Sequence, residues 1–356
     1  MVNISYNAYT GPHDGTSLLE CGLDELLRKT ARAVVISAAN ARDKKCHATG
    51  ELPPGVTRSL SWEVNIDDDT ENFIEIWYAG VTVLEITVTP PGANRTPAVP
   101  TDRYCKIGVD GSPVGAVIQR SRDPGNGDNQ VLIAINPTLK HPVDAQAKVD
   151  WKEAPAGTWK IELHNAGERS VTFHAWIERD DRGRDPQAEQ SQFSDRDAVT
   201  EGTLGGLCTG FRPIIVGAYN SATRALETYS STGPTVDGRQ KPDVCAPGAS
   251  DPNGFGILAA AARTANPARL NGTSMSAPFV AGLVALMFEL AVKYHYQLDI
   301  ETIRQLLTRT AVQLADGETA SAGVRRIDVA TAIDLLDTWL AARQPRDGDA
   351  KHAASS

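Results

Sequence analysis

The spacing of apolar residues changes twice along this chain, and these changes limit the folds that it can adopt. Apolar residues alternate over residues 2–6, and residues 33–39 form a continuous apolar run. With a helical pattern between them, these segments make a βαβ unit, which favours a parallel sheet. From about 53 to 181 the apolar residues recur at every second position, which is typical of half-buried antiparallel strands. The α/β pattern then returns, so we expect an α/β chain with an inserted β-sandwich.

The α/β part contains recognisable helix starts. Ser17 and Glu20 have the spacing of a capping box, and the helix that follows is expected to bury the leucines on one face: Leu19, Leu23, Leu26 and Leu27. Later in the chain a buried strand is predicted over residues 213–217. Three helices are predicted after it, near 274–294, 300–312 and 327–341, the second capped by Asp299.

Five segments of the middle region place apolar side chains on one face of a strand. They are Trp62/Val64/Ile66, Ile74/Ile76/Tyr78, Val131/Ile133/Ile135, Trp159/Ile161/Leu163 and Val171/Phe173/Ala175/Ile177. Turn-forming residues separate them, which indicates a sandwich of seven or eight strands. The predicted segments are therefore residues 1–52 and 182–343 for the α/β part, 53–181 for the inserted sandwich, and 344–356 for a disordered tail.

Composition excludes several kinds of partner. The chain has 356 residues, 41% of them hydrophobic and 22% charged, with a formal net charge of -9. An acidic soluble chain of this kind lacks the basic face of a nucleic-acid-binding protein and the basic cluster of a membrane anchor. The sequence as written has neither an export signal nor a long uninterrupted apolar stretch, so we expect a cytoplasmic location without membrane contact.

The cysteines also favour a simple interpretation. There are five, Cys21, Cys46, Cys105, Cys208 and Cys245. They are widely spaced, without the close pairs of a zinc site or the density of a disulfide scaffold. We therefore expect buried free thiols, and neither a metal nor a cofactor.

The strongest chemical signal is the segment Asn271-Gly272-Thr273-Ser274-Met275-Ser276-Ala277-Pro278 at a predicted helix start. A serine in this position lies beside backbone N–H groups that have no partner within the helix, and such groups can bind an oxyanion during acyl transfer. The same pattern also fits a serine that only caps a helix. The residues by themselves leave both interpretations open.

The segment from Gly272 to Pro278 resembles the sequence around the nucleophile of the subtilisin-like serine peptidases, or subtilases. Upstream, residues 229–235 and 241–248 resemble the second long motif of that family, in the family's order. The resemblance implies a subtilisin-like parallel sheet with helices, incomplete in this chain, with the antiparallel sandwich as a jelly-roll-like insertion. It also implies a serine endopeptidase in which Ser274 attacks a peptide or protein substrate.

Other site residues follow from the same resemblance. Residues 34–40 resemble the strand that ends in the side-chain oxyanion donor, so Asn40 is assigned that role, although Ala39 stands where glycine is common. The resemblance gives the remaining substrate-binding residues as Ser5, Tyr6, Asn7, Ser37, Ala38, Ala39, Gly272 and Thr273. Asn7 stands where the family usually has glycine, and we expect its side chain to crowd the peptide.

The two other residues of the catalytic triad have no counterpart in this sequence. Subtilases carry them in an Asp-Thr/Ser-Gly turn and a His-Gly-Thr helix start, and neither motif occurs here. His13 and Asp14 are neighbours in a turn, so they cannot form the required line to the serine. We therefore expect the isolated chain to be inactive. The alternatives are a non-catalytic protein that binds a peptide or partner, and one half of a split peptidase whose amino-terminal half is a separate chain.

Overall fold

The structure, a computed structural model, describes residues 1–139, 152–180, 190–251, 256–262, 264, 266–315 and 324–343. Its helices are α1 (Leu18–Leu26), α2 (Thr273–Lys293), α3 (Ile300–Thr310) and α4 (Val329–Ala341). Its strands are β1 (Val2–Ile4), β2 (Val34–Ser37), β3 (His47–Leu52), β4 (Thr57–Val64), β5 (Asn72–Tyr78), β6 (Leu84–Thr89), β7 (Tyr104–Val109), β8 (Ser112–Arg120), β9 (Asn129–Ile135), β10 (Gly157–Asn165), β11 (Val171–Ile177), β12 (Gln192–Phe193), β13 (Ala198–Val199), β14 (Ile214–Asn220), β15 (Val244–Ala249), β16 (Ile257–Ala260), β17 (Pro267–Leu270), β18 (Val312–Gln313) and β19 (Arg325–Arg326). The predicted disordered tail lies outside the described residues.

The chain divides into two compact units. The first unit comprises Met1–Asn7, Leu18–Asn40 and the chain from Leu207 onward, and the second comprises Ala8–Ser17 and Ala41–Gly206. These limits differ from the predicted segments, because β3 pairs with β11 and β12 pairs with β4. The connector after residue 181, where no strand was expected, thus contributes short strands to the antiparallel sheets.

The first unit contains the predicted parallel sheet. Its strand order is β1-β2-β14-β15-β19-β18. The first five strands in this order run parallel to one another, and β18 is antiparallel to β19. All residues of β2 and of β14 are buried, as expected for strands covered on both faces. The α/β fold class is therefore confirmed.

Helix α2 is the central helix of this unit. By length and mean hydropathy, 1.9 over its most apolar window, it could cross a membrane. However, it packs on β1, β2, β14 and β15, and burial against a sheet accounts for its apolar side chains equally well. The two later helices begin as predicted, since Asp299 accepts a hydrogen bond from the Thr302 N–H at 2.7 Å and Asp328 accepts one from the Thr331 N–H at 3.1 Å.

Helix α1 has a different buried face from the one predicted. Leu19 and Leu26 are exposed, whereas Glu20 is fully buried. The Glu20 carboxylate accepts hydrogen bonds from the N–H and hydroxyl groups of Thr209, and Asp24 accepts hydrogen bonds from the next loop amides. The predicted leucine face is therefore correct at Leu27, which is buried, and wrong at Leu19 and Leu26. The acidic side chains of the helix hold a loop instead.

The second unit consists of antiparallel sheets. One has the order β12-β4-β10-β6 and the other β13-β3-β11-β5-β9-β8-β7. Eight strands, β4 to β11, lie between residues 53 and 181 in the described part, in agreement with the predicted seven or eight. The five alternating groups are buried as expected except at Ile66, which is exposed because β4 ends at Val64.

Three histidines and a tryptophan form a stack in the second unit, here called the histidine cluster: His13, His47, His174 and Trp176. His13, His47 and Trp176 are buried, and His174 is half-buried. The His13 ring lies 3.9 Å from the Trp176 ring, and His47 Nε2 lies 3.1 Å from His174 Nδ1. Burial lowers the pKa of His13 and of His174 to about 4 and that of His47 to about 3. The rings are therefore neutral at pH 7.

Acid is expected to destabilise this unit. The histidine pKa values in the folded chain lie below the ordinary 6.5, so the unfolded chain takes up protons first and stability falls between about pH 6.5 and pH 4. For His13 the loss reaches about 3 kcal/mol. Burial raises the pKa of Asp180 from 3.8 to about 7, so the contribution of this carboxyl group to stability increases as pH falls. This gain cancels roughly the loss of stability caused by one histidine.

Urea unfolding at several pH values between 7 and 4.5 measures this loss. Replacing His47 with glutamine should make the pH dependence shallower. His164→Gln is the matched control, because His164 bonds Thr57 outside the cluster and its loss should leave the slope unchanged. Equal slopes in all the proteins would contradict the prediction.

Candidate active site

The first turn of α2 presents Ser274. The helix begins at Thr273 after Gly272, whose backbone has φ 136° and ψ 162°, a conformation that only glycine adopts without strain. Ser274 is half-buried, and its carbonyl oxygen accepts a hydrogen bond from the Ser5 hydroxyl at 3.1 Å. The N–H groups of a first helical turn have no acceptor within the helix, so they can bind an anionic oxygen.

The side chain of Asn40 lies beside this turn. Its Oδ1 accepts hydrogen bonds from the Thr273 N–H at 3.0 Å and from the Thr273 hydroxyl at 2.9 Å. These two bonds fix the carboxamide through its oxygen and leave its N–H₂ group available as a donor. A Cβ atom on Gly272 would lie 3.2 Å from Asn40 Nδ2, so glycine at 272 also keeps that donor unobstructed.

Ala39 holds Asn40 in place at a conformational cost. Its φ is 86°, in the left-handed region, where a Cβ atom costs roughly 1–2 kcal/mol. The neighbouring backbone imposes this conformation, since the Ala38 N–H donates to the Val216 carbonyl at 2.9 Å and the Ser231 N–H donates to the Ala39 carbonyl at 3.1 Å. Glycine, which is common at this position in the subtilases, would remove the cost.

The upstream motif, in its residues 241–248, bonds to the start of α2. The Gly272 N–H donates to the Gly248 carbonyl at 3.2 Å, and the Ser276 hydroxyl donates to the Ala246 carbonyl at 3.0 Å. A Cβ atom on Gly248 would come within 2.5 Å of the Ala218 Cβ. The strand β15 therefore approaches the helix start closely only because residue 248 is glycine.

Lys241 and Asp243 of the same motif have a structural role. Both are almost fully buried, and Lys241 Nζ lies 2.8 Å from Asp243 Oδ2. That oxygen also accepts a hydrogen bond from the Ile215 N–H at 2.7 Å. Burial lowers the pKa of Lys241 in spite of its charged partner. The pair joins the start of β15 to β14 and does not reach the reacting serine.

Residues 5–7, which are predicted to line the peptide cleft, differ in their exposure to solvent. Ser5 and Tyr6 are exposed, which leaves their backbone open to an added strand. Asn7 is half-buried, and its Nδ2 donates to the Ser37 carbonyl at 2.6 Å and contacts the Ser37 hydroxyl at 3.0 Å. The Asn7 side chain is thus bonded to the end of β2, away from Tyr6.

No described histidine of the first unit can serve as the base for Ser274. His295 follows the last turn of α2, and a helix of 21 residues separates it from Ser274 by about 30 Å. In the second unit His13 is buried against Trp176, and Asp14 accepts hydrogen bonds from the Thr16 N–H and hydroxyl. The expectation that His13 and Asp14 form no triad agrees with these contacts.

Within the described ranges, the geometry is compatible with binding an oxyanion beside Ser274, but no general base for its hydroxyl is present. A serine hydroxyl needs a general base to become reactive. Among the described residues there is also no group of three His, Cys, Asp or Glu side chains that could hold a metal ion. None of the five cysteines, all of which the structure describes, is in a disulfide, and Cys46, Cys208 and Cys245 are buried, so the prediction of buried thiols holds for these three.

Comparison with known proteins agrees with this arrangement. A family model described as the subtilase family matches residues 182–328, which include Ser274 and the upstream motif. These residues are similar in sequence to the subtilases. The fold of the chain is similar to that of the Clostridium perfringens CspB protease. The two structures match with a TM-score of 0.75 and 22% identity, over 94% of this chain and 67% of that one.

Curated relatives match over shorter stretches. Tripeptidyl-peptidase 2 of Caenorhabditis elegans is 31% identical over 152 residues, which is 40% of this chain and 11% of the relative. The C5a peptidase of Streptococcus pyogenes is 47% identical over 62 residues, 17% of this chain and 5% of the relative. The chain therefore spans about a tenth or less of the length of these relatives.

The sequence did not indicate two contacts around the site. Thr273 was predicted to contact substrate, but its main contact is with Asn40, which it orients. Cys208 was interpreted only as a buried thiol, and it contacts both Asn7 and Ser37. The Thr after Gly272 is part of the recognised motif and could have suggested such a role. Nothing in the sequence places Cys208 near the site.

Replacing Ala39 with glycine is expected to stabilise the chain. The change removes the left-handed strain of a Cβ atom, and the gain of about 1 kcal/mol remains after the entropy cost of glycine is subtracted. Ala38→Gly is the matched control, because Ala38 is fully buried and has no positive φ, so glycine there should destabilise. Thermal and urea unfolding measure both variants. A destabilised Ala39→Gly protein would show that the strain is absent.

Proposed function

We propose that this chain supplies the nucleophile and oxyanion site of a subtilisin-like serine endopeptidase. Ser274 attacks the scissile carbonyl, and the Ser274 N–H with the Asn40 Nδ2 stabilises the oxyanion. The observation that carries the proposal is the pair of hydrogen bonds from Thr273 to Asn40 Oδ1, at 3.0 and 2.9 Å. They orient the carboxamide nitrogen as a donor beside the serine.

The proposed substrates are peptides or proteins that bind in extended form. Ser5 to Asn7 would pair with the substrate backbone on one side, and Ser37 to Ala39 would lie on the other. Exposed backbone beyond the end of a strand is what β-strand addition requires, and Ser5 and Tyr6 have it. The subtilase assignment of residues 182–328 supports peptide-bond hydrolysis as the reaction class.

We further propose that the triad Asp and His come from a separate segment and that this chain is inactive alone. In the sheet of the first unit, β1 is an edge strand, and β2 is its one partner among the described strands. On α2, which packs on β1, Phe279 and Leu286 are exposed apolar side chains seven positions apart, which places them on one helix face. An unpaired strand edge beside exposed apolar side chains is a surface that another segment could cover.

A non-catalytic peptide-binding role is the second candidate. It is favoured by the lack of a usable base among the described residues, since His295 lies about 30 Å from the serine by helix length and His13 and His47 are buried in the second unit. Under this alternative the oxyanion donors would bind the carboxylate or carbonyl of a bound peptide. Binding would then persist in a Ser274→Ala protein and fail when the edge strand is blocked.

Labelling with a fluorophosphonate probe tests the proposal. We expect no labelling of Ser274 in the isolated chain over hours, because the hydroxyl lacks a general base. Adding a separately expressed segment that carries Asp-Thr-Gly and His-Gly-Thr motifs should restore labelling and peptide hydrolysis. Mass spectrometry locates the label.

Two variants serve as controls in the complemented sample. Ser274→Ala should abolish labelling, and Asn40→Ala should lower turnover by about 10²–10³-fold while leaving substrate binding nearly unchanged. Rapid stoichiometric labelling of Ser274 in the isolated chain would refute the proposed inactivity. Hydrolysis that survives Ser274→Ala would refute the assigned nucleophile.

A further inference from the structure

The side chain of Asn7 lies between the two segments that we propose to hold the substrate. Its Nδ2 donates to the Ser37 carbonyl at 2.6 Å and contacts the Ser37 hydroxyl at 3.0 Å. Asn7 belongs to the chain after β1, and Ser37 is the last residue of β2. The carboxamide therefore bridges the gap between these neighbouring parallel strands just beyond the end of their pairing.

The oxygen of the same carboxamide is also engaged. The Cys208 thiol contacts Asn7 Oδ1 at 2.9 Å and the Ser37 carbonyl at 3.1 Å. Ser37 and Cys208 are both buried, at 1% and 0% exposure. With partners at its nitrogen and at its oxygen, the Asn7 side chain is held in one conformation, with buried groups behind it.

We propose that Asn7 determines specificity by filling this gap, so that the substrate residue on the acyl side of the scissile bond must have a small side chain. The inference rests on the proposed function and deepens it. A large side chain that entered between residues 5–7 and 37–39 would have to displace the Asn7 carboxamide. That displacement would leave the buried Ser37 and Cys208 groups with fewer partners, at a cost of about 1–3 kcal/mol.

The backbone of the binding edge remains accessible in this arrangement. Tyr6 is 72% exposed, and the Asn7 side chain is bonded to Ser37. The Asn7 side chain was expected to crowd the peptide, and under this proposal it does so at one position of the substrate. The main chain of the peptide still has an open edge on which to pair.

Peptide binding to the intact chain tests the inference without requiring turnover. The probes are fluorescein-labelled tetrapeptides that differ only at their last residue, Ala, Leu or Phe, and fluorescence anisotropy gives the Kd of each. The wild-type chain should bind the Ala peptide at least about 10-fold more tightly than the Phe peptide. In Asn7→Gly the ratio should fall below about 3-fold, mainly because the Phe peptide binds more tightly.

Matched variants separate a specific effect from general damage. Asn7→Ala should give an intermediate ratio, and it replaces Asn7→Gly if that variant does not fold. Asn3→Gly removes a carboxamide from an exposed residue of β1 and should keep the wild-type ratio. Equal ratios in the wild-type chain and the Asn7 variants would overturn this inference alone. No saturable binding of any peptide by any of the proteins would overturn the proposed peptide cleft and this inference with it.

Discussion

The two hydrogen bonds from Thr273 to the oxygen of Asn40 are the contact on which the candidate site depends. They join residues 233 positions apart in the chain, so they exist only when β2 and the start of α2 are correctly placed in the parallel sheet. A carboxamide has one acceptor and one donor end. Because Thr273 occupies the acceptor end, the donor end is left for another partner, as the proposed oxyanion site requires.

The rest of the first unit supports that contact through backbone geometry. Gly272 reaches a φ of 136°, and Gly248 lets β15 approach the helix start, because a Cβ atom there would meet Ala218. The buried Lys241–Asp243 pair ties the start of β15 to β14. The glycines and ionic groups of the two long motifs are thus explained by packing around one helix start, although they carry no chemistry themselves.

The sequence predicts this fold well where one physical signal dominates. Continuous apolar runs identified β2 and β14, alternation identified five strands of the second unit, and Asp299 marked the start of α3. Motif likeness predicted that Ser274 and Asn40 share a site, and Asn40 bonds the residue before Ser274. Prediction failed where long-range polar contacts outweigh local pattern: α1 buries Glu20 instead of Leu19 because a distant loop supplies N–H donors. The placement of Cys208 beside Asn7 is equally non-local.

The strain at Ala39 helps to separate a catalytic helix start from an ordinary capped one. A serine that merely caps a helix needs neither a neighbouring residue with φ 86° nor an oriented carboxamide. Left-handed alanine costs roughly 1–2 kcal/mol, and such strain persists only where surrounding contacts impose it, which is common at functional sites. Here the contacts at Ala38 and Ser231 impose the conformation, and its result is the position of Asn40. This argument favours an oxyanion site, and it applies whether the bound carbonyl is hydrolysed or only held.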